Sequence, residues 1–148
     1  MASKFYEKIL IATDGSEYTK NAVDYGIDIA KSTGAKLFAI YIVDTAAFAS
    51  IPMDAAWESM YELLKQEGDL AIKYVAERAE AEGLKVEGNL IEGHPADEII
   101  RYSEQNSISL IVMGTLGKSG LDRFLLGSVA EKVVRNSKIP VLVVRGKK

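Results

Sequence analysis

Residues 110–134, LIVMGTLGKSGLDRFLLGSVAEKVV, decide the fold of this chain. The stretch begins with an apolar run, 110–113, that is typical of a buried strand. Three glycines follow, Gly114, Gly117 and Gly127, and they free the backbone where the strand becomes a loop and the loop becomes a helix. A strand, a glycine-rich loop and a helix in this order are typical of a phosphate-binding segment.

The helix that is predicted to open at Gly127-Ser128 explains how such a segment holds an anion. The first turn of a helix has unpaired N–H groups and the positive end of the helix dipole. Glycines without side chains let a phosphate approach these groups closely. A structural interpretation stands beside this one, because Ser128 followed by Glu131 matches a capping box that stabilises many helices without a ligand.

Composition restricts the class of protein. The 148 residues fit one domain, 1–148, with a single core. The net charge of −3 gives no electrostatic reason to expect a nucleic-acid partner, which would require basic patches. Cysteine is absent and there is a single histidine, so thiolate catalysis, disulfides and a multi-histidine metal centre are excluded.

The N-terminal residues and the hydropathy pattern bear on location. The segment MASKFYEKIL has no apolar core long enough for a signal peptide, and no run reaches the roughly 18 apolar residues of a membrane helix. The lack of cysteine is compatible with a reducing compartment. A cytoplasmic protein without a membrane segment is therefore expected.

Strand and helix patterns alternate along the whole chain. Apolar strands are predicted at 8–13, 36–43, 85–91, 109–113 and 140–144. The helices between them are predicted to end at Gly34, to run from about Ala55 to Ala81 with a possible break near Gly68, and to begin at Pro95 and at Gly127-Ser128. This alternation predicts an α/β fold, a doubly wound parallel sheet with helices on both faces.

Residues 45–54, TAAFASIPMD, are the least predictable part of the chain. Pro52 argues against a continuous helix there, so the segment is interpreted as a loop or a lid. The apolar side chains of Phe48, Ile51, Met53 and Trp57 favour either a lid or partner surface, or packing in the core.

The ends of the first and fourth strands predict the order of the sheet. Polar and glycine residues follow both strands, in Ala12-Thr13-Asp14-Gly15 and in Met113-Gly114-Thr115. Ligands of open α/β sheets bind beyond the carboxyl ends of the strands, where the strand order reverses. If both ends serve one site, the two strands are neighbours, which predicts a single open five-stranded sheet of order 3-2-1-4-5.

The spacing G-x2-G-x9-G-S at 114–128 resembles the nucleotide-binding signature of the universal stress protein family, in its ATP-binding branch. The resemblance extends to KILIATDGSE at 8–17, EGHPADEII at 92–100 and IPVLVVRG at 139–146. It implies a Rossmann-like fold of the adenine nucleotide alpha hydrolase type, with strand order 3-2-1-4-5. It also implies ATP as the ligand, with Mg²⁺ held through phosphate oxygens and water rather than by a protein cage.

Carried over residue by residue, the resemblance implies three groups of ligand contacts. These are Ala12, Thr13, Asp14 and Ile42 for adenine and ribose, Met113, Gly114 and Gly117 for ribose and phosphate, and Gly127, Ser128, Val129 and Ala130 for the polyphosphate. Simple packing remains an alternative for Ile42, Met113 and Val129. Strand termination and helix capping remain alternatives for Thr13 and Asp14.

The chain departs from the family's commoner pattern inside the G-x2-G step. Many members have Arg or His there, whereas this chain has Thr115 and Leu116, which puts a polar contact to the ligand in doubt. Lys118 supplies a charge to a phosphate in one interpretation and is a solvated loop residue in the other.

The motifs that are missing restrict the mechanism. The chain has no G-x4-G-K-[ST] segment, and no residue can be named as a base that activates water. The prediction is a nucleotide-dependent stress-response regulator or sensor with at most slow hydrolysis and no assigned catalytic or metal-binding residue. The alternatives are a nucleotide hydrolase or phosphotransferase that uses residues 45–54, and a partner-binding module without nucleotide.

The last strand predicts the oligomeric state. Residues 139–144, IPVLVV, are strongly apolar, and an uncovered apolar edge strand tends to pair with another chain. Family members commonly dimerise through this strand, so the resemblance also implies a homodimer.

Overall fold

The computed structural model describes residues 3–48, 50, 52, 55–115 and 126–146. Strands and α-helices alternate along them as the sequence predicts. The elements are β1 (Lys8–Ala12), α1 (Lys20–Thr33), β2 (Lys36–Val43), α2 (Ala55–Ala81), β3 (Val86–Glu92), α3 (Pro95–Gln105), β4 (Leu110–Gly114), α4 (Ser128–Asn136) and β5 (Val141–Val144). Short 3₁₀ helices lie at Glu17–Thr19 and Thr45–Phe48.

The five strands form one sheet of order β3-β2-β1-β4-β5, and every neighbouring pair is parallel. The predicted order 3-2-1-4-5 is confirmed. Ile11 of the central strand pairs with Ala39 of β2 on one side and with Val112 of β4 on the other. All three residues are fully buried, as strands covered on both faces require.

The two faces of the sheet carry different helices. Ile9 and Ile11 of β1 pack in one cluster with residues of α1 and α2, whereas Leu10 and Ala12 pack in another with residues of α3 and α4. Successive side chains of a strand point to opposite faces, so one short strand serves both clusters. This arrangement follows from right-handed crossovers that run first from β1 towards β3 and then from β3 back towards β5.

Gly68 lies in the middle of α2, where the sequence predicted a possible break. That prediction is wrong, since α2 is one continuous helix of 27 residues. A Cβ atom on Gly68 would lie 2.8 Å from Cδ1 of Tyr41 and 2.9 Å from Cδ2 of Leu90. The missing side chain therefore lets α2 approach β2 and β3 closely.

The predicted helix ends are confirmed where a special residue marks them. Gly34 ends α1 in the left-handed conformation, with φ of 76°, and its N–H donates to the carbonyl of Ala30. Pro95 occupies the start of α3, where its missing N–H costs nothing. In the described ranges, no helix is both long and apolar enough to cross a membrane.

The segment that the sequence left open is described only in part. Thr45–Phe48 forms a 3₁₀ helix directly after β2, whereas Ile51 and Met53 lie outside the described residues. Trp57 belongs to α2, and its ring stacks on that of Tyr61 at a centroid distance of 5.3 Å. The lid or partner surface predicted for residues 45–54 and the helix that follows from Ala55 stays a prediction.

Candidate functional site

The carboxyl ends of β1 and β4 lie side by side in the middle of the sheet, where the strand order reverses. Thr13 and Asp14 follow β1, and Gly114 ends β4. The N–H of Thr13 still donates to the carbonyl of Ile40 in β2, at 3.0 Å. The structure thus brings the ends of these two strands to one edge of the sheet, where ligands bind in open α/β folds.

The turn after β1 uses its polar side chains internally. The Oδ1 atom of Asp14 accepts a hydrogen bond from the N–H of Ser16 at 2.9 Å, and the hydroxyl of Thr13 accepts one from the N–H of Gly15 at 3.1 Å. Gly15 has a φ of 78°, which a glycine adopts at no steric cost. The side chains of Thr13 and Asp14 therefore stabilise the turn that ends β1, which is the structural alternative to ligand binding.

Helix α4 begins with three unpaired amides. The N–H of Gly127 donates to the carbonyl of Thr115 at 2.6 Å, and the N–H of Glu131 donates to the carbonyl of Gly127 at 2.9 Å. Between them, the N–H groups of residues 128–130 have no hydrogen-bond partner in the described part of the chain. The Gly127–Thr115 bond holds this positive helix end beside the end of β4.

The capping box predicted at Ser128 and Glu131 is not formed. Gly127 is the N-cap, with φ of −62° and ψ of 155°, so Ser128 is the first residue inside the helix. The carboxylate of Glu131 instead accepts a hydrogen bond from Arg135 one turn further on. Ser128 is exposed. Since it does not cap the helix, the capping box no longer explains this residue as an alternative to ligand binding.

The predicted apolar contacts lie on the α3 and α4 face of the sheet. Ala12, Met113 and Ala130 are buried in one cluster, and Ile42 and Val129 are partly buried against it. Packing, the alternative that the sequence left open for Ile42, Met113 and Val129, is therefore a role of these residues, and Ala12 and Ala130 share it. All five residues therefore lie on the face of the sheet that α4 covers.

Gly117, the second glycine of the spacing, lies outside the described residues, as do Leu116 and Lys118. Their predicted contacts stay predictions. The described part of the site is formed by the two ends of that loop, which the Gly127–Thr115 hydrogen bond joins.

Two hydroxyl groups at this end of the sheet were missed by sequence reasoning. The Oγ atom of Ser16 and the Oγ1 atom of Thr115 are shut off from solvent and have no hydrogen-bond partner in the described ranges. Ser16 lies in the turn after β1, and Thr115 directly follows β4. The only signal in the sequence is a hydroxyl residue just beyond each of two neighbouring strands, and this signal does not reveal whether the hydroxyl is paired.

A cavity of about 420 Å³ lies on the other face of the sheet, the one covered by α1 and α2. It is formed between the start of α1 and the middle of α2. Of the predicted site residues that the structure describes, only Thr13 and Asp14 line it, together with Ser16, Lys20, Glu67, Tyr74 and their neighbours. Lys20 is bonded to Glu17 at 2.7 Å, and this hydrogen bond raises the pKa of Lys20. The cavity is therefore distinct from the predicted phosphate cradle.

Lys132 brings a positive charge to α4 one turn after Ser128. Its ammonium group lies 3.0 Å from Oδ1 of Asp97 in α3. The hydrogen bond from Lys132 lowers the pKa of Asp97 below the ordinary value, so the carboxylate stays charged and partly compensates the lysine. Among the described residues, the unpaired amides of 128–130 are thus the feature of this helix end that favours an anion.

Comparison with known proteins gives close relatives over nearly the full chain. Universal stress protein MJ0531 of Methanocaldococcus jannaschii is 49% identical over 140 residues, which cover 95% of this chain and 82% of that protein. Universal stress protein YxiE of Bacillus subtilis is 33% identical over 147 residues and is covered to 99%.

Solved structures agree with the sequence relatives. The structure of protein MJ0577 from Methanocaldococcus jannaschii superposes with a TM-score of 0.84 at 29% identity, covering 97% of this chain and 99% of that one. A universal stress protein in complex with cAMP superposes with a TM-score of 0.70 at 27% identity, covering 96% and 98%. A profile of the Universal stress protein family matches residues 5–145. The chain therefore belongs to the universal stress protein family.

Proposed function

We propose that this protein binds ATP in the crevice between the ends of β1 and β4 and acts as a nucleotide-dependent regulator of a stress response in the cytoplasm. The observation that carries this proposal is the row of unpaired N–H groups at residues 128–130. A triphosphate gives these amides the acceptors that they lack, at the positive end of α4. The net charge of −3 favours a small nucleotide over a nucleic acid.

The nucleoside lies on the other side of the crevice in this proposal. Ile42 is partly buried and Met113 is buried on the face from which α4 starts, so they offer an apolar wall to adenine. The backbone of residues 12–14 offers hydrogen bonds to the base edge and the ribose. The cAMP complex of the relative at 27% identity supports an adenine nucleotide as the ligand class.

Magnesium accompanies the triphosphate in this proposal through phosphate oxygens and water, and it neutralises part of their charge. The protein's own residues supply hydrogen-bond donors and an apolar wall, and no side chain is assigned as a base. Hydrolysis is accordingly slow or absent, and the consequence of binding is a change in what the protein contacts.

Nucleotide binding is tested by analysing what the purified protein carries. Mass analysis of small molecules released by denaturation is expected to give an adenine nucleotide, and calorimetry on the stripped protein is expected to give ATP binding that is weakened in Gly127→Val. The φ and ψ of Gly127 suit any residue, so this substitution blocks phosphate approach without straining the backbone. If the wild type carries no nucleotide and gives no heat of ATP binding, the proposal is refuted.

We also propose a homodimer through β5. The carbonyls of Pro140 and Val144 accept hydrogen bonds from the β4 side, at 3.0 Å and 3.1 Å. Because bonding alternates along a parallel strand, Val143 directs its N–H away from β4 and towards the open edge. An apolar edge strand with outward N–H groups pairs readily with a second copy.

The substitution Val143→Pro is expected to convert the dimer to a monomer, because proline removes the outward N–H and is tolerated on an edge strand. Val143→Ala is the matched control, since it shortens the side chain and keeps the N–H, and it should remain dimeric. Sedimentation velocity measures both. A monomeric wild type, or a dimeric Val143→Pro variant, would contradict this interface.

A further inference from the structure

The cavity on the α1 and α2 face has the size and the apolar lining of a second ligand site. Its volume of about 420 Å³ lies within the range of small-molecule sites. Val23 and Ala71 are buried and contribute apolar surface to its lining. Leu70 also lines it, although 67% of Leu70 is exposed, so this leucine borders the opening to solvent. A hydrocarbon chain in the cavity would cover these three side chains.

Two carboxylates line the same cavity from two different elements. Asp14 belongs to the turn after β1, and Glu67 belongs to α2. A Cβ atom on Gly15 would lie 3.4 Å from the Cβ atom of Ala71, so this turn and α2 approach each other to van der Waals distance. The cavity therefore receives negative charge both from the turn and from the helix.

The hydrogen-bond donors of the turn are used within the protein. The N–H of Gly15 donates to the hydroxyl of Thr13, and the N–H of Ser16 donates to Oδ1 of Asp14. Acceptors are left over, because Oδ2 of Asp14 accepts no hydrogen bond from the described residues. Ser16, whose buried Oγ atom has no partner in the described ranges, adds a further acceptor to the lining. Such a lining is complementary to a ligand that donates hydrogen bonds.

The cavity lining already holds one aliphatic ammonium group, that of Lys20. Its Nζ atom lies 5.1 Å from the centroid of the Tyr74 ring, whose face attracts a cation. The same atom lies 2.7 Å from Oε1 of Glu17, which is not part of the lining. Because Glu17 compensates Lys20, the charges of Asp14 and Glu67 are not cancelled by this lysine.

We propose that this cavity binds an aliphatic polyamine, with its ammonium groups at Asp14 and Glu67 and its hydrocarbon chain along Val23, Leu70 and Ala71. Carboxylates on two walls favour a ligand with more than one ammonium group. The proposal does not depend on the binding of ATP. Asp14 lies in both sites, so the test uses residues that line only the cavity.

The first measurement is calorimetry of spermidine with the nucleotide-free protein. A salt concentration of about 0.15 M screens the attraction of distant surface charges. The wild type is expected to bind spermidine. It is expected to bind neither ammonium, which has the charge without the chain, nor glutarate, which has a chain with the opposite charges.

Glu67→Gln is expected to lower the affinity for spermidine about threefold to fivefold, the effect of one ion pair that solvent partly screens. Glutamine keeps an oxygen that can accept the 3.3 Å hydrogen bond from the Tyr41 hydroxyl, so the fold should be retained. Asp69→Asn is the matched control, because Asp69 is an exposed residue of α2 that does not line the cavity. It removes the same charge and should bind spermidine like the wild type.

Leu70→Ser tests the apolar part of the site. It is expected to lower the affinity for spermidine about fourfold, the equivalent of one buried methylene group. Leu63→Ser is its control, since Leu63 is 57% exposed on the same helix and lies outside the lining. Both leucines are exposed, so both variants should melt close to the wild type.

The outcomes separate this site from the proposed nucleotide site. A wild type that does not bind spermidine, or that binds ammonium or glutarate equally well, would overturn the proposal. Equal losses in Glu67→Gln and Asp69→Asn would overturn it as well, because they would show attraction to overall charge. ATP titration of Leu70→Ser is expected to match the wild type, so either site can fail without the other.

Discussion

The substitution Ser128→Asp is expected to lower the affinity for ATP about a thousandfold. Ser128 is exposed and is the first residue of α4, so a carboxylate there lies among the unpaired amides that are proposed to hold the triphosphate. Two like charges about 4 Å apart repel by about 4 kcal/mol at the effective dielectric constant of a protein surface, which is about a thousandfold in affinity. The carboxylate would also occupy the donors itself.

The same substitution is expected to leave the fold intact or slightly more stable. An acidic residue in the first turn of a helix stabilises it by about 0.3–1 kcal/mol through the helix dipole. Loss of binding with an unchanged or raised melting temperature therefore separates a local effect from unfolding. The measurements are ATP calorimetry and thermal unfolding of the ligand-free protein.

Ser128→Asn is the matched control, because asparagine has nearly the shape of aspartate and no charge. It should bind ATP far more tightly than Ser128→Asp does. Equal affinities for the two variants would show that charge at this position does not affect the ligand, and the triphosphate would then have to lie elsewhere.

Gly26→Val is expected to lower the free energy of unfolding by about 3 kcal/mol, the upper part of the usual range for overpacking a core. Gly26 faces the sheet from α1, and a Cβ there would lie 2.6 Å from Cγ1 and 2.7 Å from Cδ1 of Ile11. Ile11 is fully buried in the central strand and has Val112 of β4 beside it, so it cannot move aside. The helix must then shift away from the sheet.

Asp28→Val places the same side chain on the exposed side of α1, two residues further on, and serves as the control. It should change stability by no more than about 0.5 kcal/mol, as surface substitutions usually do. Urea unfolding followed by circular dichroism measures both variants. Similar midpoints for the two would contradict the close approach of α1 to β1.

The fold could be predicted from the sequence because local patterns and the position of the site pointed to the same topology. Alternating apolar strands and helices require crossovers, and the polar ends of the first and fourth strands required those strands to be neighbours. Gly34 and Pro95 marked helix ends because their effect depends only on their own backbone. No partner from elsewhere in the chain was needed to interpret them.

The errors fall on residues whose role depends on distant partners. Gly68 resembles a helix breaker until it is known that Tyr41 and Leu90 lie where its side chain would be. Ser128 and Glu131 match a capping box, yet the cap is one residue earlier because Gly127 is bonded to a carbonyl at the end of β4.

The candidate site could be predicted in outline and not in its polar detail. The glycine spacing correctly predicted the start of α4, since a glycine at a helix start acts through its own backbone. The hydroxyl of Thr115, which has no hydrogen-bond partner among the described residues, could not be predicted as unpaired, because pairing depends on which groups surround an atom in three dimensions. The cavity on the α1 and α2 face was missed for the same reason, because residues far apart in the sequence come together to line it.

The central position of β1 has a consequence for how the chain folds. Its first partner, β2, follows within one helix, but its second partner, β4, arrives much later, since Lys8 and the Ser109 hydroxyl that it contacts are 101 residues apart. Closing a loop of that length costs chain entropy before any contact is gained, so this pairing belongs to the late part of folding. Until then, the first three strands have an unpaired inner edge, and a nascent chain that ends before residue 110 exposes it to aggregation.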